Sequence, residues 1–169
     1  MSDLLGPGLH AGDRWLGIEK ALHEESLPGI TAKLEIGDHD VYLKTAWRNG
    51  SIVRIDLTLS GCSNENGAST PLEVSLETAK MDLARSSCET ICKQASEMLQ
   101  SGVVGIGHVI DDWAGRQTYP DGYCPQIPGI GPDGKPSDRT YQRGPLDAAA
   151  KYMRLRIDEW SKLMAPEER

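Results

Sequence analysis

Between residues 30 and 57 the chain changes sides with almost every residue, in three runs separated by two turn signals. Ile30, Ala32, Leu34 and Ile36 alternate with Thr31, Lys33 and Glu35. Val41, Leu43, Thr45 and Trp47 then alternate with Tyr42 and Lys44, and "SIVRIDLTL" follows. A period of two sends successive side chains to opposite faces, so each run is predicted to be a half-buried strand. The intervening "GDHD" and "RNG" have turn chemistry. Three such strands with one apolar face need a cover to be stable in water.

The register of the second hairpin decides which residues share that face. A two-residue Asn49-Gly50 loop pairs Trp47 with Ile52 and sets Leu43 against Asp56, mixing apolar and charged residues. A three-residue Arg48-Asn49-Gly50 loop instead aligns Trp47, Thr45, Leu43 and Val41 with Ser51, Val53, Ile55 and Leu57. Only the second register gives one clean apolar face, and it is the expected one. The other face then carries Tyr42, Lys44, Ile52 and Arg54.

A cover is available downstream. Thr70-Pro71-Leu72-Glu73 reads as a capping box with proline at the first helical position. From there to Gln100, apolar and small residues including Leu76, Leu83, Cys88, Ile91, Cys92, Ala95 and Leu99 recur at three- and four-residue spacing. The pattern predicts a long amphipathic helix starting between residues 71 and 75, with Gly102 as its C-cap. A shorter helix is expected over 103–114, weakened by Gly105 and Gly107, and a third over 145–164. Residues 115–144 hold six glycines and five prolines with no periodicity, a length of loop that calls for a function or a partner. Residues 1–27 read as a partly ordered arm with a helical patch at about 13–25. The fold class is therefore α+β. A three-stranded antiparallel meander packs on a long amphipathic helix, followed by a short helix and a C-terminal helix. The segments are an arm (1–27), an α+β domain (28–114), a Gly/Pro-rich loop (115–144) and a C-terminal helix with its tail (145–169).

The formal net charge of −7 argues against a nucleic-acid binder, because phosphate contacts need clustered Lys and Arg. No run reaches the ~18 apolar residues of a membrane helix. The opening "MSDLLGPGLHAGDRW" has no signal-peptide pattern. A cytoplasmic protein with reduced thiols is expected.

The order of these pieces resembles a region of adenosylcobalamin-dependent ribonucleotide reductases. "LPGITAKLEIGDHDVYLKTAWRNG" followed by "SIVRIDL" is similar to their succession of a GxT element, a G-x-H turn, a VYL strand, a glycine turn and an EIFI-like strand. "EMLQSGVVGIGHVIDDW" is similar to their "LGLQYGVPLEEFVDAF" segment, and "SDRTYQRGPLDAAAKYMRLRIDEW" resembles the helix that closes the region. That region is the TSCPD domain, which also occurs as short free-standing proteins, and the resemblance covers residues 27–160. The literal Thr-Ser-Cys-Pro-Asp signature is absent. So are the catalytic barrel and the C-terminal redox-active cysteine pair, since the last cysteine is Cys124. No catalytic residue carries over. The resemblance implies an accessory domain of deoxynucleotide metabolism, not an enzyme by itself, acting through a reductase catalytic subunit or a nucleotide. The alternative is a zinc-stapled interaction module unrelated to reductases.

Four cysteines frame that alternative. Cys88 and Cys92 lie on the apolar stripe of the long helix, where free thiols pack as small hydrophobes. With Cys62 and Cys124 they also make a four-thiolate set of the kind that holds structural zinc. Asp38-His39-Asp40 and His108 with Asp111 and Asp112 are read as solvated polar clusters. "GIGPDG" lacks the Lys-Ser/Thr of a phosphate loop. Arg139, Tyr141 and Arg143 in "SDRTYQR" can clamp a nucleotide phosphate, but a partner contact or a plain lead-in to the last helix is the favoured reading. Met153, Ile157, Trp160 and Met164 form an apolar stripe on the last helix. Together with the open edges of the meander, that stripe points to a homodimer anchored on Trp160.

Overall fold

The structure is a computed structural model that describes residues 27–60 and 71–166. Strands β1 (Gly29–Ile36), β2 (His39–Arg48) and β3 (Ser51–Leu59) form an antiparallel meander in the order β1-β2-β3. The first turn is Gly37-Asp38 alone, with Ile36 paired to His39. His39 and Asp40 therefore open β2 and are not part of the turn.

The second hairpin corrects the expected register. Asn49 and Gly50 form a two-residue loop with φ of 53° and 79°, the type I′ geometry that matches strand twist. Arg48 pairs with Ser51 and Trp47 with Ile52, as in the rejected register. A bulge at Ala46/Trp47 then restores apolar pairing, so that Thr45 faces Ile55, Leu43 faces Leu57 and Val41 faces Leu59. One extra residue in a strand shifts side-chain parity. Ile52 consequently joins the main core, whereas Val53 turns to the opposite face with Leu27 and Ala46.

Helix α1 (Pro71–Ser101) packs against β3. Its first residue is the expected proline; Thr70 lies outside the described residues, as do Cys62 and the helical patch expected at 13–25. Its end is a Schellman motif: Val103 N–H donates to the Met98 carbonyl and Gly102 N–H to that of Leu99, with Gly102 left-handed. Among its described side chains the buried ones are Met81, Ala84, Cys88, Cys92, Ala95, Ser96 and Leu99. The helix also closes the free edge of the sheet. Ser96 Oγ accepts from Ile55 N–H at 3.0 Å and donates to its carbonyl at 3.2 Å, and Arg85 Nε donates to the Leu59 carbonyl. Side chains thus satisfy backbone groups that an open edge would leave to another chain.

Helix α2 (Ile106–Trp113) is shorter than expected, and Val109, Ile110 and Trp113 are its buried residues. Helix α3 (Pro145–Leu163) packs on α2 and on β1. Between them, the segment expected to be without regular structure is a nested hairpin. Strands β4 (Gly122–Cys124) and β7 (Thr140–Gln142) pair at its base, and β5 (Gly129–Ile130) and β6 (Pro136–Ser137) pair further out. Strands of two or three residues are too short to show a period of two. Its base covers one end of β1: Gly37 N–H donates to the Tyr123 carbonyl and Glu35 N–H to Gln126 Oε1. A Cβ on Gly122 would lie 2.9 Å from the Gly37 nitrogen, so only glycine permits this approach.

Candidate functional site

The nested hairpin and one face of α3 enclose an open cleft of about 1050 Å³. Pairing of Tyr123 with Tyr141 across β4 and β7 puts both rings on one side, with centroids 5.7 Å apart at 77°. Such edge-to-face pairs are favoured by the ring quadrupole. Both rings remain about half exposed. The Arg139 guanidinium stacks over Tyr123, 5.4 Å from its centroid. Ser137 steadies the same stretch, donating from Oγ to the Arg139 carbonyl and accepting from its N–H. The Tyr141 hydroxyl donates to Asp121, and this hydrogen bond is the main reason its pKa is raised. The phenol therefore stays neutral.

Helix α3 supplies the opposite wall. Lys151, Arg154 and Leu155 share one helical face through three- and four-residue spacing and line the cleft. Arg154 donates to Asp111 of α2 at 2.9 Å, and Lys151 to Asp147 at 3.2 Å. Among the described residues, three cations and one carboxylate, Asp133, line this cleft in a chain whose net charge is −7.

Of the loop residues singled out in the sequence, Arg139 and Tyr141 line the cleft and Arg143 does not. The Arg143 backbone instead accepts from Thr118 N–H and donates to Asp147. "GIGPDG", set aside for lack of phosphate-loop residues, contributes Gly131, Pro132 and Asp133 to the rim. Tyr123, Lys151 and Arg154 were not anticipated. The three-residue spacing of Lys151 and Arg154 on a helix with a clear apolar period was the available signal.

Cys88 and Cys92 are each 1% exposed, inside the core between α1 and the sheet. Cys124 is buried at the hairpin base, its thiol 3.4 Å from Gln126 Oε1. Among the described residues no group of three or more His, Cys, Asp or Glu is placed to hold a metal, and Cys62 lies outside them. His39 is buried with its ring edge-on to Tyr119 at 5.5 Å, not solvated as expected. Asp40 pairs with Lys33, Asp111 with Arg154 and Asp112 with Arg116.

Half of the stripe expected to make a dimer seam is buried within the chain, and the other half is only partly covered. Met153 and Trp160 are core residues, with Ile157 and Met164 packed against them. The reason is geometric: α1 covers the β3 side of the sheet, which leaves the β1 side for α3.

Burial, reinforced by the Asp56 carboxylate, pushes the Cys88 thiol from 9.0 up to about 11. Burial, Cys88 and Asp56 raise Cys92 against the opposing Leu57 backbone hydrogen bond. A raised folded-state pKa means that the neutral thiol supports the fold. That contribution is complete below about pH 9 and fades as pH climbs towards about 11. In a Cys62→Ser background the native thiols are expected to resist an aromatic disulfide reagent at pH 8 and to react on unfolding. Cys88→Ala should flatten the alkaline loss of stability, and Cys88→Ser should cost about 1–3 kcal/mol by burying a hydroxyl. Rapid labelling of the folded protein would contradict this burial.

No family model, curated protein or solved structure matches the chain.

Proposed function

We propose that this chain is a non-catalytic accessory module of deoxynucleotide metabolism, akin to a free-standing TSCPD domain, that works by binding through the cleft between its nested hairpin and α3. The observation that carries the binding role is the convergence of Arg139, Lys151 and Arg154 with the exposed Tyr123–Tyr141 pair. Exposed aromatic and arginine side chains grouped in a concavity are the usual anchors of recognition. The α+β order of meander, long helix, short helix and C-terminal helix is compatible with the resemblance that suggests a reductase as partner. No described helix is long and apolar enough to cross a membrane, and the proposal places the module in the cytoplasm.

The test is co-purification of the tagged chain with the ribonucleotide reductase of its own cell, followed by reductase turnover with and without the chain. The reductase is expected to be retained by the tagged chain, and its turnover to change when the chain is added. A reductase that neither binds nor changes its turnover would overturn the proposal.

A further inference from the structure

We infer that the cleft is a site for a nucleoside di- or triphosphate, with the base against the tyrosine–arginine wall and the phosphates towards α3. This rests on reading the chain as a binding module and names what the module takes.

The two walls ask for two different chemistries in one ligand. On the hairpin side, Arg139 stacked on Tyr123, with Tyr141 edge-on, offers flat surfaces to a planar ring. Bases stack on tyrosine rings and guanidinium planes alike. Ile130 and Leu155 add exposed apolar side chains to the same concavity, at 66% and 54%. On the helix side, Lys151 and Arg154 stand one turn apart, a spacing suited to successive phosphate groups.

The present partner of Arg154 does not compete strongly: Asp111 is 78% exposed, so water replaces Arg154 at small cost. Lys151 stays on the fully buried Asp147, which also accepts from Gly115 and Arg143 N–H, and lends its charge to the cleft wall from there. Arg154 can therefore turn to a ligand without orphaning a buried carboxylate. An acidic peptide would satisfy the cations and leave the ring wall bare; a neutral aromatic would do the reverse. A polyphosphate carrying a planar base satisfies both.

Calorimetric titration with ATP, dATP, GTP and CTP tests this, with tripolyphosphate, the free nucleosides and O-phosphotyrosine as comparison arms. At least one nucleotide is expected to bind about tenfold or more tightly than tripolyphosphate and nucleoside. Tyr123→Ala and Arg154→Ala should each weaken it by about tenfold, and raising the salt should weaken the wild type. Both substitutions sit on exposed side chains, and a denaturation curve matching wild type shows that the fold is intact. Equal affinity for tripolyphosphate and nucleotides would overturn the ring-stacking assignment. Tighter binding of O-phosphotyrosine, or no binding by millimolar nucleotide, would overturn the nucleotide. If titration is blank while the reductase still co-purifies, the module stands and its nucleotide falls; if both fail, both fall.

Discussion

Replacing Asp147 by alanine is expected to lower the unfolding free energy by about 3–5 kcal/mol, the usual loss when one member of a buried charged network is removed. Asp147 is fully buried in the first turn of α3. Its carboxylate accepts from Gly115 N–H at 2.6 Å, from Arg143 N–H at 2.9 Å and from Lys151 Nζ at 3.2 Å. One side chain thus fastens the exit of α2, the hairpin's return strand and the start of α3. Its charge is also favoured by the dipole of the helix it begins. Alanine leaves two backbone donors without acceptors, at about 1–3 kcal/mol each when they stay dry. Asparagine keeps one acceptor but turns an N–H₂ towards a donor, so Asp147→Asn should fall between wild type and alanine. Urea denaturation of the three proteins reads this order directly. An alanine variant within about 0.5 kcal/mol of wild type, the range of an ordinary surface change, would show that Asp147 does not hold the three segments together.

Why Asp147 escaped the sequence is instructive. In "GPLDAAAKYM" an aspartate in the first turn looks like routine dipole complementarity. Its burial depends on Gly115, 32 residues away, and no local pattern encodes that. The same division runs through the fold. Alternation located the three strands, and Pro71 and Gly102 marked both ends of α1 because capping chemistry is local. The bulge was not legible. The two-residue turn and the clean apolar face looked incompatible, and the chain satisfied both by inserting Val53 on the opposite face. The cleft was half legible: "SDRTYQR" announced Arg139 and Tyr141, whereas Tyr123 is brought to them only by the pairing of β4 with β7. The last helix was legible in extent but not in partner, since an apolar stripe does not say whose surface it meets.

That last ambiguity gives the second large effect. Trp160→Ala is expected to cost about 3–5 kcal/mol, as for other buried aromatic-to-alanine changes, without altering the mass of the particle. Trp160 is 5% exposed in the chain's own core and meets Tyr152 edge-on at 5.9 Å. Alanine leaves a cavity that the neighbouring Met153 and Ile157 can fill only in part. If the stripe were instead a seam between two copies, the wild type would show twice the chain mass and a melting temperature that rises with concentration. The variant would then dissociate. With the stripe inside the chain, both proteins should scatter as 18.4 kDa particles, and the stability difference should be the same at every concentration. Leu163, three residues further along α3 but 72% exposed, supplies the internal control: Leu163→Ala should stay within about 0.5 kcal/mol of wild type. Equal losses at the two positions, or a wild type of twice the chain mass that Trp160→Ala dissociates, would mean that α3 is covered by a partner and not by its own sheet.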